Sequence, residues 1–247
     1  MDDPKIIAAI ISALMAILIT IVSQLLTGRR EKRIAREEER KKVQLEYLNP
    51  LRLYLIENHF RLSEIRRFVE KKGKCEFLLF IENPRDLLGK NGFWFNGEGC
   101  YLISSCYLAA CLFACLERVR ESVPFLKLSR QQDTMLLALT TKVSLGFLHN
   151  FGIFYVTQFS IGNDMYNSKE DRLLSYREFC ELLNREDNIP WFSRLFEYYI
   201  LTGKGAHLER VAEVLDAIKE LSAFLDKAVG GGESLEKRYS TEGVKAL

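Results

Sequence analysis

The chain is laid out in blocks of hydrophobic and polar positions, and the first block is the most uniform. Every residue from Ile6 to Leu26 is uncharged, in the run IIAAIISALMAILITIVSQLL. As a helix rising about 1.5 Å per residue, it reaches roughly the 30 Å of a bilayer core. This predicts a transmembrane helix. Lys5 alone makes a poor basic leader and no small-x-small site precedes the charged run, so a cleaved signal peptide is the weaker reading. The next block, GRREKRIAREEERKK, interleaves cations with Glu31, Glu37, Glu38 and Glu39, a pattern suited to a solvated helix with pairs at i,i+4. Asn49-Pro50 predicts an interruption, because proline lacks the N–H and disfavours helix at the residue before it. A new amphipathic helix is expected behind it, with Leu51, Leu55, Phe60, Leu62, Ile65 and Phe68 as its apolar face and Gly73 at its end.

Further along, CEFLLFI is too short for periodicity to separate a strand from the start of a buried helix. Asn83-Pro84 marks a turn, and KNGFWFNGEG is a glycine-rich loop carrying Phe93, Trp94 and Phe95. Two apolar stretches follow. Cys100–Leu116 is uncharged, short for a span, and closed by Glu117, Arg118 and Arg120. Met135–Ile161 carries Lys142, His149, Asn150 and Gln158, which a lipid-facing helix would have to hide. Together they are expected to form a central helical hairpin of the soluble core, the alternative being two further spans. Ser175 and Glu178 have the spacing of a capping box, predicting a helix from Tyr176. Pro190 suits a first helical position, followed by Trp191, Phe192, Leu195, Phe196, Tyr199 and Ile200 at helical intervals. The last helix is striped by Leu208, Val211, Leu215, Ile218, Leu221 and Leu225, and Gly230, Gly231 and Gly232 then open a polar tail with no reason to fold.

The expected architecture is therefore mainly α: a single N-terminal transmembrane helix followed by a cytoplasmic α-helical domain. Its divisions are an N-terminal segment and anchor at 1–27, a charged juxtamembrane helix at 28–49, a helical domain at 50–229 and a disordered tail at 230–247. Arg29, Arg30, Lys32 and Arg33 directly follow the apolar run, against Lys5 before it. The positive-inside rule places them in the cytoplasm and the N-terminus outside; anionic lipid heads would add to their attraction. The net charge of +2 is too small to make nucleic acid a bulk partner. Six cysteines, four of them within one apolar stretch, do not have the spacing of a secreted disulfide scaffold and fit a reducing compartment.

Phosphate loops, dinucleotide fingerprints, zinc-protease pairs and nucleophile elbows are absent from the sequence. Cys111 and Cys115 share a helix face, but ligation needs two more ligands that no CxxC or nearby histidine offers, so neither metal nor cofactor is expected. Arg52 and His59, seven residues apart in RLYLIENH, fall on one helix face. This eight-residue stretch resembles the Arg-x4-6-His motif of HEPN ribonucleases, with Leu53 where that family prefers a polar residue. The resemblance implies acid–base and charge-stabilising roles for the pair at an RNA 2′-hydroxyl and phosphate, without metal. The layout of an anchor and a small helical domain likewise looks like membrane-embedded accessory proteins of RNA-targeting CRISPR systems, some of which form pores. The Phe93–Phe95 loop either plugs the core or presents a patch to a partner or membrane.

The function expected from this organisation is a membrane-tethered interaction or signalling module, self-associating through its helices, with the lipid bilayer, further copies and a separate protein as partners. The alternative is a membrane-associated effector, a HEPN-like ribonuclease acting on RNA or a pore-forming accessory protein. A third reading is a sensor with a small-molecule pocket under the aromatic loop.

Overall fold

Good helix formers (Ala, Leu, Lys, Arg, Glu) dominate the first seventy residues, and they form one helix, α1 (Pro4–Lys72). The computed structural model describes residues 4–123, 126, 128–148 and 152–229. Within them the other helices are α2 (Gly92–Asn96), α3 (Cys100–Ser122), α4 (Arg130–Leu148), α5 (Tyr155–Asp164), α6 (Tyr176–Leu183), α7 (Ile189–Gly203) and α8 (Leu208–Val229). Strands β1 (Tyr166–Asn167) and β2 (Arg172–Leu173) form a small antiparallel hairpin, pairing Tyr166 with Leu173 and Asn167 with Arg172. The molecule is mainly α, as its periodicity predicts. The His149–Asn150 pair and the tail from Gly230 lie outside the described residues, as do the side chains of residues 4–13 and of 16, 17, 19, 25, 40, 43 and 44.

The chain divides into two units, residues 1–44 and 45–247. In the first, Leu14, Met15, Leu18, Ile21, Val22 and Leu26 are each 47–60% exposed. Beyond them the helix is charged, and Arg33 Nε lies 3.9 Å from Glu37 Oε1, one turn on.

In the second unit, α1 runs through Pro50 without ending, contrary to the expected break. An interior proline forfeits the hydrogen bond to the carbonyl four residues back and costs about 3 kcal/mol. Leu48, Leu51 and Leu55, all fully buried, outweigh that, since each contributes about 1.5–3 kcal/mol on burial. The buried positions of α1 are Leu48, Leu51, Leu55, Asn58, Leu62, Ile65 and Val69, which alternate intervals of three and four. Phe60 and Phe68, expected on this face, are not part of it: Phe60 is exposed and Phe68 half-buried against Phe77, with ring centroids 5.6 Å apart. Asn58 takes the core position instead, its Nδ2 donating to the carbonyls of Tyr54 (2.7 Å) and Leu108 (2.8 Å). Gly73, at φ +75°, stops the helix as its spacing predicts.

Helix α3 is the centre of this unit, packing against α2, α4, α5, α6 and α7. Among the described residues it is the one helix long and apolar enough to cross a membrane, and 67% of its apolar window is buried within the fold. A helix with neighbours packed on most of its surface is apolar on most of its faces, which is why its sequence reads like a short span. Glu117, Arg118 and Arg120 fall in its last two turns, and it ends at Ser122. The stretch 135–161 is not the second arm of a hairpin. It divides into α4, which lies along α8, and α5, which lies along α3. Between the two helices Gly152 packs so tightly that a Cβ there would meet the Phe147 carbonyl oxygen at 2.1 Å. Gln158 is hidden as expected of a polar group in this stretch: it is buried and donates to the carbonyls of Ser144 (2.9 Å) and Ile153 (2.8 Å), pinning the turn. Lys142 stays half-exposed and pairs with Glu220 of α8 at 2.6 Å.

CEFLLFI forms neither strand nor long helix but a 3₁₀ turn over Glu76–Leu78, held to α7 by the Cys75 N–H donating to the Gly203 carbonyl at 2.8 Å. The capping box is present: Ser175 accepts from Glu178 N, Glu178 accepts from Ser175 N, and α6 starts at Tyr176. Pro190 lies in the first turn of α7, whose predicted stripe is buried except for Trp191, which is exposed.

Candidate functional site

The residues singled out in the sequence are scattered over the molecule. Arg52 and His59 both face α8 from α1. Arg52 Nη2 hydrogen-bonds the Asp226 carboxylate, so its charge is engaged within the chain. His59 is half-buried near Lys219 and Asp216; burial, then Lys219, lowers its pKa, while Asp216 acts the other way. The aromatic loop is a short helix, α2, started by Asn91 Oδ1 accepting from the N–H groups of Phe93 and Trp94. It splits the trio. Phe95 is buried, Trp94 lies over Gly99 so closely that a Cβ there would sit 2.3 Å from the indole, and Phe93 is 90% exposed. A cavity of about 460 Å³ lies beside this helix, lined by Phe95, Asn96, Tyr176 and Cys180 among others. Arg29, Arg30, Lys32 and Arg33 belong to the first unit, and all are exposed. Cys111 and Cys115 are buried thiols whose pKa is raised by burial, Cys111 up to about 12. Among the described residues no group of three or more His, Cys, Asp or Glu is placed to hold a metal ion.

The geometry gathers a different set of side chains around Arg118. A groove of about 500 Å³ runs between α1, the later turns of α3 and strand β2; Leu45, Pro50, Leu53 and Leu173 supply its apolar wall, and Arg118 and Asp171 its polar end. The hairpin wall is fixed locally. Asn167 Oδ1 accepts from the N–H groups of Lys169 (3.1 Å) and Glu170 (3.3 Å), and Asp171 takes φ +50° to close the turn. Arg172 then ties the hairpin to α6 through two 2.7 Å bonds to Glu178, the same carboxylate that caps that helix. These two bonds and the capping hold Glu178 well below the usual carboxylate range.

Arg118 itself lies over the rings of Tyr166 (4.3 Å) and Tyr47 (5.2 Å), contacts that hold a guanidinium without using its N–H donors as hydrogen bonds. Its side chain is only 24% exposed, yet among the described residues its hydrogen bonding is limited to one 3.5 Å contact with Asp171. Charge-assisted N–H···O bonds run at about 2.7–2.9 Å, so this pair is loose. The cation is positioned and largely unspent.

Beyond Arg118 a second pocket of about 330 Å³ opens toward α5, lined by Tyr47, Glu117, Glu121, Asn163 and Tyr166 among others. Gly162 lets α5 approach this closely, since a Cβ there would lie 3.0 Å from the Ala114 backbone nitrogen. Glu117 Oε2 is buried with no hydrogen-bond partner among the described residues. Burial, followed by the neighbouring Glu121, lifts the Glu117 carboxyl from its ordinary 4.5 to about 7, against the pull of Arg120. Arg120 is turned away into the core, where Nη2 donates to the Thr140 carbonyl (2.9 Å) and Ser144 Oγ (2.7 Å) beside the Tyr155 ring.

Sequence reasoning took Glu117, Arg118 and Arg120 only as the end of an apolar helix. Their separate fates follow from which neighbour each meets, and no spacing encodes that. The one usable signal was their place next to residues that the fold buries, where a charge needs a partner. The fold and groove together define a mainly helical body with an amphiphilic cleft. Comparison with known protein families, curated proteins and solved structures finds no match.

Proposed function

We propose that the protein is a membrane-tethered helical module: residues 6–26 cross the bilayer once, the N-terminus is outside, and the body is a cytoplasmic, self-associating platform for interaction or signalling. The observation that carries this reading is the exposure of Leu14, Met15, Leu18, Ile21, Val22 and Leu26, each 47–60% open. Six large apolar side chains on three turns of helix exceed the scattered exposure normal for a water-facing surface. Hydrocarbon covers them at no cost, and the uncharged run is long enough to reach across. The burial of α3 favours one span over three, because its apolar surface is already covered by its neighbours. The cations at 29–33 favour retention of the body on the cytoplasmic side.

The anchor is tested with the full chain expressed in cells and its membranes extracted with alkaline carbonate. Wild type stays in the membrane pellet. The Leu18→Arg/Val22→Arg pair, each arginine opposing insertion by about 2.5–3.5 kcal/mol on insertion scales, moves to the supernatant with unchanged helicity of the body. Extraction of the wild type by carbonate would sink the reading. For orientation, a C-terminal tag resists protease in sealed cells and is lost on permeabilisation; the reverse pattern would invert the topology.

A further inference from the structure

We propose that the groove at Arg118 is a binding site for a medium-chain alkyl carboxylic acid in its monoanionic form, with the carboxylate on the Arg118 guanidinium and the alkyl chain along Leu45, Pro50, Leu53 and Leu173. This goes beyond the anchoring above and does not depend on it, since every lining residue belongs to the second unit.

Three features of the groove select this class of ligand. The first is the unspent cation. Arg118 carries five N–H donors. Two tyrosine rings hold it, and its Asp171 partner is loose and itself 72% exposed, free to swing out when a better acceptor arrives. An incoming carboxylate matches the guanidinium fork with two parallel bonds. The second feature is the wall. Leu45 and Leu53 are 61% and 52% exposed on the body of α1, and a chain laid over them removes that surface from water. At about 500 Å³ the groove falls within the range of about 300–1,000 Å³ usual for small-molecule sites.

The third feature is the surrounding charge, which limits the ligand to one negative charge. The other cation of the groove, Arg172, is committed to Glu170 and Glu178. Glu46 and Asp171 line the groove itself, and Glu117 and Glu121 line the pocket behind Arg118. A dianionic phosphate meets this ring of carboxylates with one cation to compensate it, whereas a carboxylate balances Arg118 one to one.

The test is equilibrium dialysis of radiolabelled decanoate against the full-length protein in phosphatidylcholine nanodiscs, with protein-free discs as the blank. Saturable binding at one decanoate per chain is expected, weakened at least tenfold by Arg118→Gln and also by Leu53→Glu. Because Leu53 is exposed, its replacement leaves the fold intact, which circular dichroism checks, and this keeps the test sound should Arg118→Gln unfold the chain. Acetate, inorganic phosphate and decanol are expected not to displace the label. Binding no greater than to empty discs, or binding untouched by both substitutions, would overturn the proposal. Displacement by acetate or phosphate as effective as by decanoate would reduce the site to a simple anion contact and overturn it too. Tighter displacement by decyl phosphate would overturn the choice of carboxylate. If the chain proves soluble without lipid, the same dialysis runs without discs, so failure of the anchor and failure of the site are read separately.

Discussion

A buried and a half-buried polar residue in the body show how a single side chain shapes stability. Asn58 occupies a core position of α1, and its Nδ2 bridges the Tyr54 and Leu108 carbonyls, joining α1 to α3. Asn58→Ala removes both bonds and leaves a cavity, and we expect a loss of about 1–3 kcal/mol in urea unfolding. Glu117 acts through pH. Its carboxyl is raised from 4.5 to about 7, mainly by burial and secondly by Glu121, with Arg120 opposing. The folded state therefore keeps a proton between about pH 4.5 and 7 that the unfolded chain has released. Its contribution is fully present below 4.5 and is lost as pH rises through 7. Glu117→Gln does not titrate, so thermal melts should show a shallower fall in stability across that window and a higher midpoint than wild type above pH 7. An unchanged slope would mean that the carboxyl is solvated.

At the scale of elements, the close approach of α3 and α5 depends on Gly162. A Cβ there already meets the Ala114 backbone at 3.0 Å, and backbone cannot give way as a flexible side chain can. Gly162→Leu should cost about 1–3 kcal/mol by forcing the helices apart, and more if the α5 turn is lost. The pocket behind Arg118 would widen with it, so the same variant should also weaken decanoate binding; tight binding with lowered stability would separate the packing from the site. Much of this level was readable beforehand. The Ser175–Glu178 box, the Gly73 stop and the stripe of α8 each depend on groups within a turn or two of one another, and each is where its spacing put it. Two expectations failed in opposite directions, a helix break at Pro50 and an unbroken arm over 135–161. Burial of three leucines carried the helix past the proline, while the apolar stretch 135–161 divides into α4 and α5 although no proline interrupts it.

For the whole molecule, the proposed platform predicts that the detergent-solubilised full chain forms a defined oligomer in mass photometry. Monomers at every concentration would remove self-association and leave a separate partner as the occupant of exposed groups such as Phe93. The sequence by itself determined the helical class, the charge step after Leu26 and most helix ends, because these follow from local hydrogen bonding and from periodicity. It also marked Arg52 and His59 as one-faced, which the helix geometry alone guarantees. Only the tertiary structure decided that Arg52 meets Asp226, that Phe95 is buried while Phe93 is not, and that α3 is packed on most of its surface. It alone placed Arg118 against Tyr47 and Tyr166 at the end of an apolar groove. The reason is that a residue's charge state, exposure and spare hydrogen bonds are set by neighbours distant along the chain, and their approach is fixed by packing the whole core at once.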